Sequence, residues 1–130
     1  MELLTDPVLC KTVTDNYPRY FTFDEEAWFS NKQNYAVKDG DNVGFAEYKG
    51  PGLYWVHFCF HSARGRKAIE LTKAMLNRLF KDRDVTTVVG LIEVSNKKAR
   101  WLIRQVGLKS LGEVVTENGL CEMFYLTRKG

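Results

Sequence analysis

The chain has 130 residues, 45% hydrophobic and 13% aromatic, which suffices for one domain with its own core. A net charge of +3, with Lys and Arg interleaved among Asp and Glu, falls short of the basic excess of a dedicated nucleic-acid binder. No apolar run reaches membrane-spanning length, and Met1-Glu2-Leu3-Leu4-Thr5-Asp6 lacks the charged start and apolar core of a signal peptide, so the expected location is the cytoplasm.

Thr5 or Asp6 before Pro7 is a helix start, and the spacing predicts a short helix from Pro7 to about Val13, packed on a sheet edge. Asn16-Tyr17-Pro18 breaks it. Phe21-Thr22-Phe23 leads to Asp24, which can cap a second short helix over Glu25 to Phe29, anchored by Trp28 and Phe29. Asn34 to Lys38 and Val43 to Lys49 read as a hairpin around Asp39-Gly40-Asp41-Asn42, a turn rich in residues that tolerate positive φ. Gly50-Pro51-Gly52 turns the chain into Leu53-Tyr54-Trp55-Val56-His57-Phe58-Cys59-Phe60, an apolar and aromatic run suited to a central strand.

The next stretch carries the most chemistry. His61-Ser62-Ala63-Arg64-Gly65-Arg66-Lys67 is a basic turn, and Ala68, Ile69, Thr72, Met75, Leu76 and Leu79 then recur at helical spacing to about Phe80. The first amides of a helix lack internal partners and lie at the positive end of its dipole, so Arg64, Arg66 and Lys67 there suggest an anion cradle for phosphate. A solvated turn is the ordinary alternative. Lys81 to Asp84 is a polar connection, and Val85 to Ile92 is a strand by β-branched content, which makes strand, helix, strand a parallel crossover. Ser95 or Asn96 caps a helix with apolar Ala99, Leu102, Ile103 and Val106, closed by Gly107. Leu111 to Val115 and Leu120 to Thr127 flank Thr116-Glu117-Asn118-Gly119, whose Asn-Gly pair is a strong hairpin signal. Cys10, Cys59 and Cys121 are odd in number, far apart and without zinc-type spacing, so they read as buried thiols of a reducing compartment.

The resulting order, ααβββαβαββ, with a mixed central sheet flanked by helices, resembles the GNAT (acyl-CoA N-acyltransferase) fold. In that family a central strand ends in a Q/R-x-x-G-x-G/A loop whose amides hold the diphosphate of coenzyme A, and a later strand leads to an Asn-x-x-Ala helix ending in Gly-Phe. Here the corresponding stretches are Arg64-Gly65-Arg66-Lys67-Ala68-Ile69 and Asn96-Lys97-Lys98-Ala99 with Gly107-Leu108. The second stretch follows the pattern; in the first, Lys67 and Ile69 stand where the pattern has Gly and Gly/Ala. Where many members carry a tyrosine that protonates the departing thiolate, this chain has Ile103. The resemblance implies an acetyl-CoA site made of Phe58, Cys59, Phe60, Arg64, Gly65, Arg66, Lys67, Ala68 and Asn96, with an amine as acceptor. Its general base would be Glu93, at the end of the second parallel strand, or His57 on the central strand. For each, a structural or solvated role is the ordinary alternative. One discriminator is whether the groove between the two parallel strands is open or plugged by Ile69 and Trp101.

A narrower resemblance rests on Arg64-Gly65-Arg66, Ala99-Arg100-Trp101, Val106 to Gly112 and Asn118 to Phe124. These stretches are similar to small GNAT-like proteins of short-tailed bacteriophages that act in head assembly or lie inside the virion. That resemblance implies a second function class, a non-catalytic protein with virion or host partners, for which Tyr17, Tyr20, Phe21, Trp28 and Phe29 would supply contacts. A third reading, nucleic-acid binding through Lys97, Lys98, Arg100, Arg104 and the Arg64 loop, predicts strong salt dependence and ranks last on net charge.

Overall fold

In the computed structural model, which describes residues 1–14, 24–117 and 119–128, the two sequence periods resolve into one mixed sheet with helices on its faces. The elements are β1 (Glu2–Leu3), α1 (Pro7–Thr14), α2 (Glu25–Ser30), β2 (Tyr35–Asp39), β3 (Asn42–Gly50), β4 (Leu53–Cys59), α3 (Gly65–Asp82), β5 (Thr87–Glu93), α4 (Lys97–Val106), β6 (Lys109–Thr116) and β7 (Gly119–Thr127). The strands follow the order β1-β2-β3-β4-β5-β7-β6. All neighbours are antiparallel except β4 and β5, which the α3 crossover makes parallel. No described helix is long and apolar enough to cross a membrane.

Strand alternation splits the core in two. Tyr54 and Val56 of β4, Val88 of β5 and Phe124 of β7 pack with Met75, Leu76 and Leu79 of α3 and Ile103 of α4. A second cluster joins Leu4, Cys10, Ala36, Val43, Phe45 and Cys59, with Trp28 and Phe29 of α2 against it. Trp28 meets Phe45 edge-on at 5.6 Å. The first helix therefore covers the sheet face instead of sitting at an edge, because Cys10, fully buried, packs in a cluster with residues of β2, β3 and β4.

Most boundaries fall where the sequence places them, with four differences. β1 was not foreseen; two residues carry no periodicity, and the strand exists only by pairing Glu2 and Leu3 with Lys38 and Val37. The central strand stops at Cys59, before Phe60. β5 begins at Thr87 instead of Val85, since Val85 is a fully buried core residue and the amides of Thr86 and Thr87 turn to the Gly52 carbonyl. β6 runs from Lys109 to Thr116, longer than its apolar part. The breaker at Asn16-Tyr17-Pro18, the Phe21-Thr22-Phe23 lead, the contact residues Tyr17, Tyr20 and Phe21, and Asn118 lie outside the described residues.

Candidate functional site: the fork between β4 and β5

The parallel ladder between β4 and β5 is short: Leu53 with Thr87, Tyr54 with Val88, Trp55 with Val89, and no further. Yet β4 continues against β3 to Cys59, and β5 continues against β7 to Glu93. Beyond Trp55 and Val89 the ladder between these two strands does not continue among the described residues, and a fork opens toward their C-terminal ends. Its vertex is close, for a Cβ placed on Gly90 would meet the Val56 carbonyl oxygen at 3.9 Å. Its closed end is fixed by Gly52, whose carbonyl accepts from the amides of Thr86 (2.8 Å) and Thr87 (3.0 Å) and from Thr86 Oγ1 (3.1 Å). Gly52 has φ +74°, and a Cβ there would lie 2.6 Å from Thr86 Oγ1, so only glycine suits both constraints.

At the open end the chain leaves β4 and enters α3. Arg64 is the N-cap residue and makes no side-chain cap bond; Arg64, Arg66 and Lys67 are all exposed. Arg66 reaches Glu70 at 3.6 Å, a surface contact worth little, and Arg64 Nη1 donates to the Ala63 carbonyl at 3.3 Å. The departures from the family pattern acquire a geometry here. Positive φ falls on Gly65 (+55°), two residues ahead of Lys67, while no non-glycine among the described residues has positive φ. Lys67 and Ile69 accordingly adopt ordinary helical backbone, and the glycine the turn needs is already present. Gly65→Ala is expected to cost about 1 kcal/mol, from φ alone, because a Cβ there meets nothing within 4 Å. Denaturant unfolding of the variant checks it.

The predicted bases flank this fork. Strand alternation and the Trp55–Val89 register place His57 and Glu93 on one sheet face, on opposite sides of the opening. His57 pairs with Phe45 across β3, and burial depresses its pKa to about 4, with Lys49 adding to the fall and Glu47 opposing it. It is a neutral, weak base at pH 7. Glu93 is half-buried at the end of β5, and its carbonyl accepts from the Asn96 amide at 2.9 Å. Asn96 caps α4 through a bond from the Ala99 amide (3.1 Å), and Gly107 closes that helix at φ +107°.

The cofactor set divides by face. Phe58 and Phe60 pack on the α3 side, 5.7 Å apart and edge-on, Cys59 packs with Val43 and Phe45 on the other side, and Ala68 is buried in the core. Their side chains are occupied by packing; the backbone of residues 56–59 is what faces the fork. Trp101 is 47% exposed and stands outside the core, so it does not plug the opening, and Ile69 is half-buried on α3. Ile103 is buried in the core, which leaves no ionisable group at the place of the family tyrosine.

Two polar residues missed by sequence reading hold the site together. Asn42, taken for a turn residue, is buried at the start of β3 and binds the β4–α3 loop. Glu122 is buried on β7 and receives Arg100 Nε (2.8 Å), Arg104 Nη2 (2.7 Å) and Ser110 Oγ (2.6 Å). Arg100 and Arg104 of the cationic strip expected on α4 both pair with Glu122, whose single charge offsets one of the two, while Lys97 and Lys98 stay exposed. The signal of Glu122 was legible in principle: a lone acid in phase with inward Phe124, opposite an Arg pair spaced i, i+4.

A mixed sheet whose central parallel pair splays beside a helix N-terminus is the fold of GNAT acyltransferases. No protein-family model and no curated protein matches the chain. Among solved structures, a chimera of the Vibrio cholerae spermidine N-acetyltransferase SpeG and hSSAT superimposes with a TM-score of 0.74 at 16% identity, covering 97% of this chain and 95% of that one. The aminoglycoside acetyltransferase AAC(6')-Ib bound to paromomycin and acetyl-CoA gives 0.72 at 15% identity, with 98% and 92% covered. The same enzyme in complex with coenzyme A gives 0.62 at 18%, with 76% and 69% covered. At these identities the likeness establishes a shared fold.

Proposed function

We propose that this chain is an acetyl-coenzyme A-dependent N-acyltransferase acting on an amine. The observation that carries the reading is the fork, where the parallel ladder between two central strands ends and they part beside the cationic start of α3. Pantetheine is an extended chain with two amides, and such a chain can complete the hydrogen bonding of exposed strand edges. The diphosphate would lie at Gly65 and Arg66, whose amides start the helix, with Arg64, Arg66 and Lys67 supplying positive charge. Asn96, committed to capping α4, would act by fixing that helix start beside Glu93.

The reaction converts an ammonium and acetyl-CoA into an amide, free coenzyme A thiol and one proton. The ammonium first gives its proton, through water, to a base at the fork. Glu93 is better placed than His57, since it ends β5 at the mouth of the opening and is already anionic as a carboxylate, whereas His57 would have to become a cation where burial disfavours the charged ring. The nitrogen lone pair then attacks the thioester carbonyl carbon, the C–S bond breaks, the nitrogen now bonded to carbon gives up its second proton to solvent, and the thiolate takes one from solvent, since Ile103 offers no hydroxyl acid. Positioning is the main source of acceleration. The neighbours of the same fold include a spermidine N-acetyltransferase and an aminoglycoside acetyltransferase, which supports an amine as acceptor.

Calorimetry at moderate salt tests the reading. Micromolar acetyl-CoA binding is expected, weakened more than about tenfold, roughly 1.4 kcal/mol, by Arg64→Ala with Arg66→Ala. No binding at millimolar cofactor would sink it.

A second reading has its own observation. β6 is an exposed edge strand, and Leu111 (60% exposed), Val115 (80%) and Leu120 (45%) put apolar surface on the β6–β7 hairpin. Such surface suits a protein partner. The phage resemblance would make that partner a virion or host protein and the fold a non-catalytic scaffold.

A further inference from the structure

The loop that would hold the diphosphate is shaped from outside itself. Asn42 opens β3, across the hairpin from Asp39, and is 6% exposed. Its Oδ1 accepts from three successive amides of the β4–α3 loop: His61 (3.0 Å), Ser62 (3.2 Å) and Ala63 (3.1 Å). Its Nδ2 donates to the Asp39 carbonyl (3.1 Å) and to Ser62 Oγ (3.0 Å), so both amide hydrogens are used and the side chain cannot turn. Ser62 Oγ in turn donates to Asp41 Oδ1 at 2.6 Å. One side chain on a neighbouring hairpin therefore satisfies the three amides that directly precede Arg64.

That arrangement decides where an anion is received. Three consecutive amides converging on a point would themselves form an anion nest. Here Asn42 Oδ1 fills it. The hollow on that side of the loop is lined by Asp39 and Glu70 as well as Lys67, so its carboxylates disfavour a diphosphate. The donors left for one begin at the helix: the amides of Gly65 and Arg66, presented by the positive φ of Gly65. We propose that Asn42 is the positioning residue of the diphosphate cradle, fixing residues 61–63 so that the loop is already set for the anion before cofactor arrives. The inference rests on the acetyl-CoA reading and adds to it a residue outside the loop motif. A preset loop spares the bound state the entropy of ordering it.

The test uses the full chain, 15N-labelled, titrated separately with acetyl-CoA and with S-acetyl-pantetheine, which enters the fork but lacks the diphosphate. Asn42→Ala is expected to weaken acetyl-CoA at least tenfold and to leave S-acetyl-pantetheine within twofold. Ser62→Ala, which keeps all three amide bonds to Asn42, is expected to change neither by more than twofold. Equal weakening of both ligands by Asn42→Ala would mean general loosening and would overturn the positioning role, as would unchanged acetyl-CoA affinity. Hydrogen exchange of wild type covers the case of an unfolded variant. The amides of 61–63 should be protected without ligand and unchanged by it, while those of Gly65 and Arg66 gain protection only with acetyl-CoA. Gain of protection at 61–63 on binding would show an unformed loop and overturn the proposal. If wild type binds S-acetyl-pantetheine and acetyl-CoA equally, the cradle fails while the fork stands; if it binds neither, the cofactor reading falls and takes this one with it.

Discussion

Glu122→Gln is expected to lower the unfolding free energy by about 3 kcal/mol, near the bottom of the range for breaking a buried ion pair. The carboxylate is almost inaccessible, and its two oxygens hold Arg100 Nε, Arg104 Nη2 and the Ser110 hydroxyl at 2.6–2.8 Å. An amide of the same shape would keep one acceptor and turn a donor toward a guanidinium. Arg100 is mostly buried and would lose its counter-charge, whereas Arg104 is about half exposed and can turn to water, which keeps the cost from the top of the range. For a chain of this size the melting temperature should fall by roughly 10 °C. A loss under about 0.5 kcal/mol in denaturant unfolding would refute the account. Arg104→Ala should cost far less than Glu122→Gln, since its guanidinium is the better solvated of the two.

The same cluster has a pH signature. The Ser110 hydroxyl, then the Arg100 hydrogen bond and the two guanidinium charges, hold the Glu122 pKa below its ordinary 4.5. Its contribution is therefore present above pH 4.5 and is lost as pH falls through the lower folded value. The consequence reaches the fork, because Glu122 sits opposite Ile92 of β5 and Glu113 of β6 while its arginines come from α4. It clamps the helix that begins at Asn96, just past Glu93, onto the strands forming one wall of the opening.

Elements with a strong period or a capping residue were readable from sequence. α3 and α4 showed their apolar stripes, Asn96 and Gly107 marked the ends of α4, and Asp24 accepts from the Glu26 and Ala27 amides as its place before Glu25 suggests. The parallel β4–β5 pair followed from strand, helix, strand. What could not be read is set by tertiary register. The ladder's end at Trp55 and Val89 leaves no local trace, since both strands keep their composition through the fork. Asn42 looked like a turn residue because Asp-Gly-Asp-Asn satisfies turn chemistry by itself; its second role depends on residues 61–63, about twenty positions away. Lys67 looked like a lost glycine, yet Gly65 supplies the positive φ, and only backbone angles distinguish a missing glycine from a displaced one.

His57 offers a separate measurement with the opposite logic to Glu122. Burial against Phe45 favours the neutral imidazole, so the folded pKa lies near 4 against an ordinary 6.5. Above pH 6.5 the ring is neutral in both states and costs nothing. As pH falls from 6.5 to 4, the unfolded chain binds a proton that the folded chain refuses, so stability declines through that window and levels below it. The shift corresponds to about 3 kcal/mol. His57→Gln, which cannot titrate, should lack this slope: between pH 7 and pH 4 wild type should lose about 3 kcal/mol more than the variant. The carboxylates, Glu122 included, are common to both proteins, so the difference isolates the histidine. Equal losses would show that the ring can be protonated in place, and His57 would then regain standing as a base at the fork. A steeper wild-type slope would instead leave Glu93 as the carboxylate to mutate in any assay of acyl transfer.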